Sequence, residues 1–361
     1  MIGLEIFRGR RVFLTGHTGF KGSWMALLLT EAGAEVHGFS LAPSTRPSLF
    51  VEAGIESVMA SHAIGDVRDV SALQSAIQQV NPDIVFHLAA QAIVRRSFHE
   101  PRETWETNVL GTVNLLEAVR ATPSVRVCQV ITSDKCYENP GRVCSFRETD
   151  AMGGHDPYSS SKGAAEIAVA AWRRSFFSSA NAVSVASARA GNVIGGGDWA
   201  EDRLIPDCIR ALSKDQPIPV RNPHSVRPWQ HALEPLAGYL TLAAAQWRDP
   251  STFADSFNFG PLPSDNIDVS RVADVVVKYW GGGHWEQTGQ PADENQPHEA
   301  HFLKLDITKA TTLLKWKPVF QVEEAIAKTV QWYRRRHTEG SQFDARDACL
   351  EQIHEYTQRA E

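Results

Sequence analysis

Arg11-Val12-Phe13-Leu14-Thr15 runs without a break into Gly16-His17-Thr18-Gly19-Phe20-Lys21-Gly22, and a helical pattern follows through Glu31. The apolar run predicts a buried strand. The glycines after it allow a tight turn, close approach of backbone to a pyrophosphate, and close packing of helix on strand, while the helix N-terminus offers free N–H groups and a positive dipole end. The stretch is not a Walker loop, because Lys21-Gly22-Ser23 reverses the Gly-Lys-Ser/Thr order that such a loop needs. Gly16, Gly19, Phe20 and Gly22 are therefore the first candidate cofactor contacts.

Outward from this turn, strand and helix patterns alternate. Val36 to Phe39 reads as the second strand, ending at Ser40 where a fold of this type usually carries the acid that grips the ribose of NAD. Ser40 leaves the choice open, since Arg46 downstream suits the 2'-phosphate of NADP; NAD is the expected cofactor. Ile64-Gly65-Asp66-Val67 reads as a strand end, with Asp66 either an acceptor for the adenine amino group or a plain turn aspartate. Ile84 to Ala90 is a third buried run, whose small end at Leu88, Ala89 and Ala90 lets a dinucleotide lie against backbone. A helix follows from Thr104 to Arg120 with Val109, Val113, Leu116 and Val119 at helical spacing and Asn108 beside them. Val127 to Ile131 and Val183 to Ala188 add further strands. Such alternation predicts an α/β fold, a Rossmann-type doubly wound parallel sheet with right-handed crossovers.

From Gly191 the texture changes to Gly195-Gly196-Gly197-Asp198-Trp199, frequent prolines and short mixed segments. This predicts an NAD-binding domain over 1–190 and a smaller α/β lobe for substrate over 191–361, with some segments returning to the first domain. Arg203, Arg221 and Arg227 are its candidate anion ligands, because guanidinium grips a diphosphate with paired hydrogen bonds. His298-Glu299-Ala300-His301 lacks the order of a zinc motif and a third ligand at usable spacing, so no metal is expected.

The totals agree with an enzyme of this kind. The 361 residues are 43% hydrophobic and 22% charged, which suits a folded protein with a sizeable core. A formal charge of -6 with scattered Lys and Arg argues against nucleic acid as a partner. The basic run Arg334-Arg335-Arg336 reads as the solvated last turn of a helix. Five cysteines without a CxxC suggest reduced thiols, and with no signal-like start and no membrane-length apolar run the expectation is a cytoplasmic protein with no membrane partner.

Two stretches carry the chemistry. Thr132-Ser133-Asp134-Lys135 sits at the end of a buried strand, where open α/β sheets bind ligands. In Tyr158-Ser159-Ser160-Ser161-Lys162 the Tyr and Lys are spaced i, i+4 and share one helix face. An ammonium there favours phenolate over phenol, lowering the Tyr pKa until it takes a proton from a sugar hydroxyl.

Together, the glycine turn, His87-Leu88-Ala89-Ala90, Asn108-Val109-Leu110-Gly111-Thr112, the Tyr158 and Lys162 pair and Arg227-Pro228-Trp229 resemble the extended short-chain dehydrogenases acting on nucleotide sugars. Gly16 to Trp24, Pro47 to Phe50, Thr132 to Tyr137, Gly191 to Trp199, Asp202 to Asp207 and Arg227 to His231 narrow the resemblance to 4,6-dehydratases that act on a CDP-linked hexose, in deoxysugar biosynthesis. The resemblance implies bound NAD and oxidation of the hexose at C4, followed by loss of water across C5 and C6 and hydride return to C6. It implies Tyr158 as base for the C4 hydroxyl, with Lys162 lowering its pKa and holding the nicotinamide ribose, and Ser133 hydrogen-bonded to the same hydroxyl. Asp134 would protonate the departing C6 oxygen. Lys135 stands where dTDP-type dehydratases carry a glutamate, as the C5 base or as an electrostatic stabiliser of the enolate. Val67 and Asn108 join the implied cofactor contacts. Asn192, Arg203, Leu204, Val220, Arg227 and Glu299 are the implied substrate contacts. A homodimer is implied, packed through the helix after Thr104 and the Tyr158 helix. A nucleotide-sugar 4-epimerase shares Tyr158 and Lys162 but needs no Asp134-Lys135, and a non-catalytic NAD-binding regulator needs neither Tyr158 nor Asp134.

Overall fold

The computed structural model describes residues 3–141, 145–179, 182–288 and 303–360. Its centre is a seven-stranded sheet made of β1 (Arg11–Thr15), β2 (Glu35–Ser40), β3 (Ser61–Ile64), β4 (Ile84–His87), β5 (Val127–Ile131), β6 (Ser184–Ala190) and a late strand, Ser256–Phe259. Every pairing in it is parallel. From one edge to the other the order is Ser256–Phe259, β6, β5, β4, β1, β2, β3, so β1 and β4 are neighbours and the chain reverses its direction of winding between them. Ligands of doubly wound sheets bind at this switch point, beyond the carboxyl ends of the strands.

Strand alternation divides the core. Phe13, Val85, Cys128 and Val185 point to one face of the sheet, where they meet Leu73, Ile77, Leu115, Leu116 and Val169 of the covering helices. Their neighbours Val12, Leu14, Ile84, Phe86, Val127 and Ala186 point to the other, against Trp24, Leu28, Leu236, Leu240 and Val330. With helices on both faces the inner strands β4, β5 and β6 are buried along their whole length. The helix expected over Thr104 to Arg120 starts earlier and is not uniform: Pro101–Trp105 is α-helical, Glu106–Leu110 is a π-turn, and Gly111–Arg120 is α-helical again. The π-turn widens the helix around Asn108, whose carbonyl accepts from Thr112 Oγ1 at 2.7 Å.

The second half contributes short strands: β7 (Val193–Ile194), β8 (Ile218–Val220), β9 (Val226–Pro228) and β10 (Gln230–His231), of which β7 and β10 pair with each other. The late strand β11 (Ser256–Phe259) then lies on β6, so the residues after 190 supply an edge of the first sheet. The basic run near the end of the chain is not simply solvated. Arg336 pairs with Glu52 and lies 4.6 Å over the Trp199 ring, while Arg335 pairs with Glu339 and Glu351. Through Glu52, Arg336 fastens the helix Val322–Glu339 to the first half of the chain.

Glu234, on the helix Leu233–Arg248, accepts from Phe320 N at 2.7 Å, Val319 N at 3.1 Å and Tyr356 Oη at 2.8 Å, and so ties three segments together. Burial nonetheless outweighs these donors and pushes its pKa up to about 7 from 4.5. A folded-state pKa raised above the unfolded one stabilises the protein fully below pH 4.5 and loses that contribution as pH rises through about 7. The contribution is roughly 3 kcal/mol. Glu234→Gln is therefore expected to flatten the pH dependence of unfolding free energy between those values; an unchanged slope in urea titrations would contradict it.

Candidate active site

The glycine turn is shaped by contacts that no side chain fits. Gly16 has φ +77°, and a Cβ there would lie 2.7 Å from Ala89 N; a Cβ on Gly22 would lie 2.0 Å from the Gly16 carbonyl oxygen. The turn is thus locked against the end of β4. Gly19 caps the helix Phe20–Glu31 without any side-chain hydrogen bond, which leaves first-turn N–H groups facing the cavity.

That cavity measures about 720 Å³ and is lined on one side by Gly16, Gly19, Phe20, Gly22, Ser40, Asp66, Val67, Leu88, Ala89 and Ala90. Asn192, Arg203, Leu204 and Arg227 line it from the second half, and Ser133, Asp134, Lys135, Tyr158 and Lys162 lie between. The residues fit a dinucleotide at the glycine turn, where Gly16, Gly19 and Gly22 line the cavity beside a helix start that has no side-chain cap.

Several expected contacts are placed differently. Asn108 is buried and does not line the cavity; its Oδ1 accepts from Gln91 N at 2.9 Å, and its Nδ2 donates to Gln91 O at 3.0 Å and Ser161 Oγ at 2.9 Å. It staples the loop after β4 to the Tyr158 helix and has no polar group left for a ligand. Val220 is 1% exposed and points into the core. Its neighbours Pro219 and Arg221 line the cavity instead, because successive strand residues face opposite ways. Asp66 lines the cavity, but Arg68 Nε and Nη2 hold its carboxylate at 2.8 and 2.6 Å, which lowers its pKa. Ser40 Oγ is within 2.9 Å of Thr18 Oγ1. Arg46 is exposed and is not part of the lining; Ser44 and Thr45 are. Arg203 pairs with Asp198 at 2.8 Å, and Arg221 lies 3.7 Å from Asp202. Glu299 and the His298 to His301 stretch lie outside the described residues. Among the described residues no cluster of His, Cys, Asp and Glu could hold a metal ion, and no helix is long and apolar enough to cross a membrane.

The reacting groups come from β5 and the helix Pro157–Phe176. Ser133 caps the short turn Asp134–Cys136, and its Oγ donates to Asp134 Oδ1 at 3.0 Å. Asp134 is fully buried, and its Oδ2 has no protein partner. A Cβ on Gly191 would come within 2.5 Å of that oxygen, so the glycine is what leaves space in front of it. Lys135 Nζ lies 3.6 Å from Asp134 Oδ1, with its side chain 31% exposed. Asp156 caps the Tyr158 helix by accepting from Ser159 N at 2.9 Å, and Pro157 opens it.

Burial dominates the electrostatics of both Tyr158 and Lys162. Burial pushes the Tyr158 phenol up to about 12, while a hydrogen bond with Ser133 and the Arg203 guanidinium pull it down. Burial lowers Lys162 itself to about 8, with Glu166 the strongest opposing charge. In a closed pocket desolvation outweighs the groups that favour each charged form. Lys21, read in the sequence only as part of the glycine turn, is a further cation here. It donates to Tyr239 Oη at 3.0 Å, and burial together with Lys162 and Arg203 lowers it to about 7.

A parallel doubly wound sheet with a glycine turn at its switch point, and a Tyr-x-x-x-Lys helix meeting a Ser-Asp turn beside it, defines a Rossmann-type enzyme of the short-chain dehydrogenase class. The chain belongs to the GDP-mannose 4,6 dehydratase family, whose sequence model matches residues 13–329. It is 49% identical to the CDP-glucose 4,6-dehydratase of Salmonella typhimurium over 92% of this chain and 93% of that protein. Identity to dTDP-glucose 4,6-dehydratase 1 of Escherichia coli is 27%, over 90% and 92% of the two chains. Among solved structures, the dTDP-glucose 4,6-dehydratase of Streptomyces venezuelae, crystallised with NAD, is similar in fold with a TM-score of 0.76, 22% identity, and coverage of 92% and 99%.

Proposed function

We propose that the protein converts CDP-D-glucose to CDP-4-dehydro-6-deoxy-D-glucose with NAD as bound cofactor, a hydro-lyase reaction in which the hydrogen leaving C4 ends at C6 of the same sugar. The observation that carries this reading is the buried Asp134 carboxylate, one oxygen held by Ser133 and the other free, set beside Lys135 in the cavity that also holds Tyr158. Simple oxidation or 4-epimerisation needs Tyr158 alone; elimination needs an added acid and base. The close similarity to a CDP-glucose dehydratase supports the same substrate.

NAD would supply the hydride acceptor and a cationic ring, with Tyr158 and Lys162 as the residues to hold its nicotinamide half. The protein's own groups move protons. Tyr158 accepts the C4 hydroxyl proton, aided by Ser133 and Arg203, which favour its phenolate. Lys135 takes the C5 proton, or stabilises the enolate while a water relays that proton, and Asp134, protonated on Oδ2, gives its proton to the C6 oxygen, so that one water leaves. Asn192 and Arg227 hold the diphosphate, and Arg203 and Leu204 border the sugar nucleotide within the part of the chain after residue 190. Incubation with CDP-glucose, UDP-glucose, dTDP-glucose and GDP-mannose is expected to give loss of one water from CDP-glucose alone. Substrate deuterated at C4 should yield product deuterated at C6, and loss of the label to solvent would reject the scheme. NAD rather than NADP is supported by the uncharged lining at Ser40, Leu41, Ala42, Ser44 and Thr45. Denaturation should release it, whereas NADP in the extract would implicate Arg46.

The protein acts as a cytoplasmic homodimer, its described cysteines being free and buried. Trp105 and Leu110, on the helix after Pro101, and Ile167, on the Tyr158 helix, are 42%, 54% and 60% exposed, an apolar surface that a two-fold mate would cover. Light scattering at micromolar concentration is expected to give twice the chain mass, and a monomer would overturn this.

A further inference from the structure

Behind the cavity wall, the helix of Tyr158 and the end of β5 are joined through one side chain that the reaction scheme does not use. Glu166 follows Lys162 by one helical turn, is 3% exposed, and does not line the cavity. Its carboxylate accepts from Thr132 Oγ1, from Ser187 Oγ at 2.6 Å and from Arg189 Nη2 at 2.8 Å. Thr132 directly precedes Ser133 and Asp134. On the far side, Arg189 Nη1 donates to Tyr137 Oη at 2.7 Å, and Tyr137 Oη donates to Asn258 Oδ1 at 2.7 Å. Glu166 therefore sits where three elements meet: β5 through Thr132, β6 through Ser187 and Arg189, and the helix that carries Tyr158 and Lys162.

We propose that Glu166 is a positioning residue of the dehydratase: it fixes the Ser133-Asp134 turn against the Tyr158 helix and is the anion that keeps the Lys162 ammonium charged inside the pocket. The inference rests on the function proposed above and assigns that site a residue outside it.

The charge argument follows from what surrounds Lys162. Glu166 on its own helix favours the ammonium, with burial opposing it, and burial keeps the nearby Cys136 a neutral thiol. Lys21, from the glycine-turn helix, and His87, at the end of β4, both face Lys162. Lys21 disfavours a second cation, and His87 is held neutral by burial, with its pKa at about 3. Facing Glu166 are Arg189 of β6 and, further along the same helix, Arg173. Glu166 and Lys162 are one helical turn apart, so without the Glu166 charge burial has less to oppose it and the Lys162 pKa falls further.

The test is the pH dependence of cofactor reduction by CDP-glucose in a single turnover, measured with the holoenzyme. Glu166→Gln keeps an acceptor oxygen and removes the charge, so the alkaline limb should move down by about one pH unit or more, with KM little changed. Glu166→Asp keeps the charge at shorter reach, so the limb should stay while kcat falls. Thr132→Val removes the hydroxyl that ties Glu166 to β5, so kcat should fall with the limb in place. A folded Glu166→Gln enzyme with the wild-type limb overturns the charge role. Wild-type kcat in Thr132→Val overturns the positioning role, whether or not any other variant folds. If Glu166→Gln alone does not fold, Glu166→Gln with Arg189→Met leaves no buried ion unpaired, and its limb decides the question in the same way. Failure of the wild type to dehydrate CDP-glucose would sink the underlying function, a result separate from any of these.

Discussion

With Asp134→Asn, bound NAD should still be reduced on addition of CDP-glucose, while release of the 4-keto-6-deoxy product falls by about 100- to 10,000-fold. The reduced cofactor should accumulate and be visible at its absorbance band. The expectation follows from the geometry. Ser133 satisfies Oδ1, and an asparagine oxygen can take its place as acceptor, so the turn is kept. The free buried Oδ2 becomes an amide that cannot release a proton to the C6 oxygen. Lys135→Ala is expected to stall at the same point, because its side chain reaches Asp134 from the cavity side and supplies the other half of the elimination. Turnover of Lys135→Ala at the wild-type rate would make Lys135 structural and assign the C5 step elsewhere.

A second large effect is expected from Arg189→Met, this time on stability. Arg189 and Glu166 are 3% exposed each and pair at 2.8 Å across the sheet-to-helix junction. Removing the cation leaves a carboxylate in the core with only the Thr132 and Ser187 hydroxyls as donors. Loss of one partner of such a buried pair typically costs about 3 to 5 kcal/mol, a large part of the roughly 5 to 15 kcal/mol by which proteins are stable. The urea midpoint should fall accordingly, and Glu166→Gln added to Arg189→Met should restore much of it. An unchanged midpoint in Arg189→Met would show that Glu166 can be held without its partner.

The parts of this protein that were legible in the sequence are those specified by neighbours along the chain. Arg11–Thr15 into the glycine turn and Phe20–Glu31 could be read because turn chemistry and strand and helix periods act over a few residues. The i, i+4 spacing likewise put Tyr158 and Lys162 on one buried helix face. Glu166 repeats that spacing from Lys162, a signal that could have found it, but nothing local says that its partners are Thr132, Ser187 and Arg189. What the tertiary structure alone decided depends on distant segments and on burial. Asn108 faces Gln91 and Ser161 rather than a cofactor, because a π-turn and a packed helix surround it. The pleat of β8 sends Val220 inward and Arg221 to the cavity. Burial, a property of the whole enclosure, is the largest influence on Tyr158 and raises its pKa, against Ser133 and Arg203.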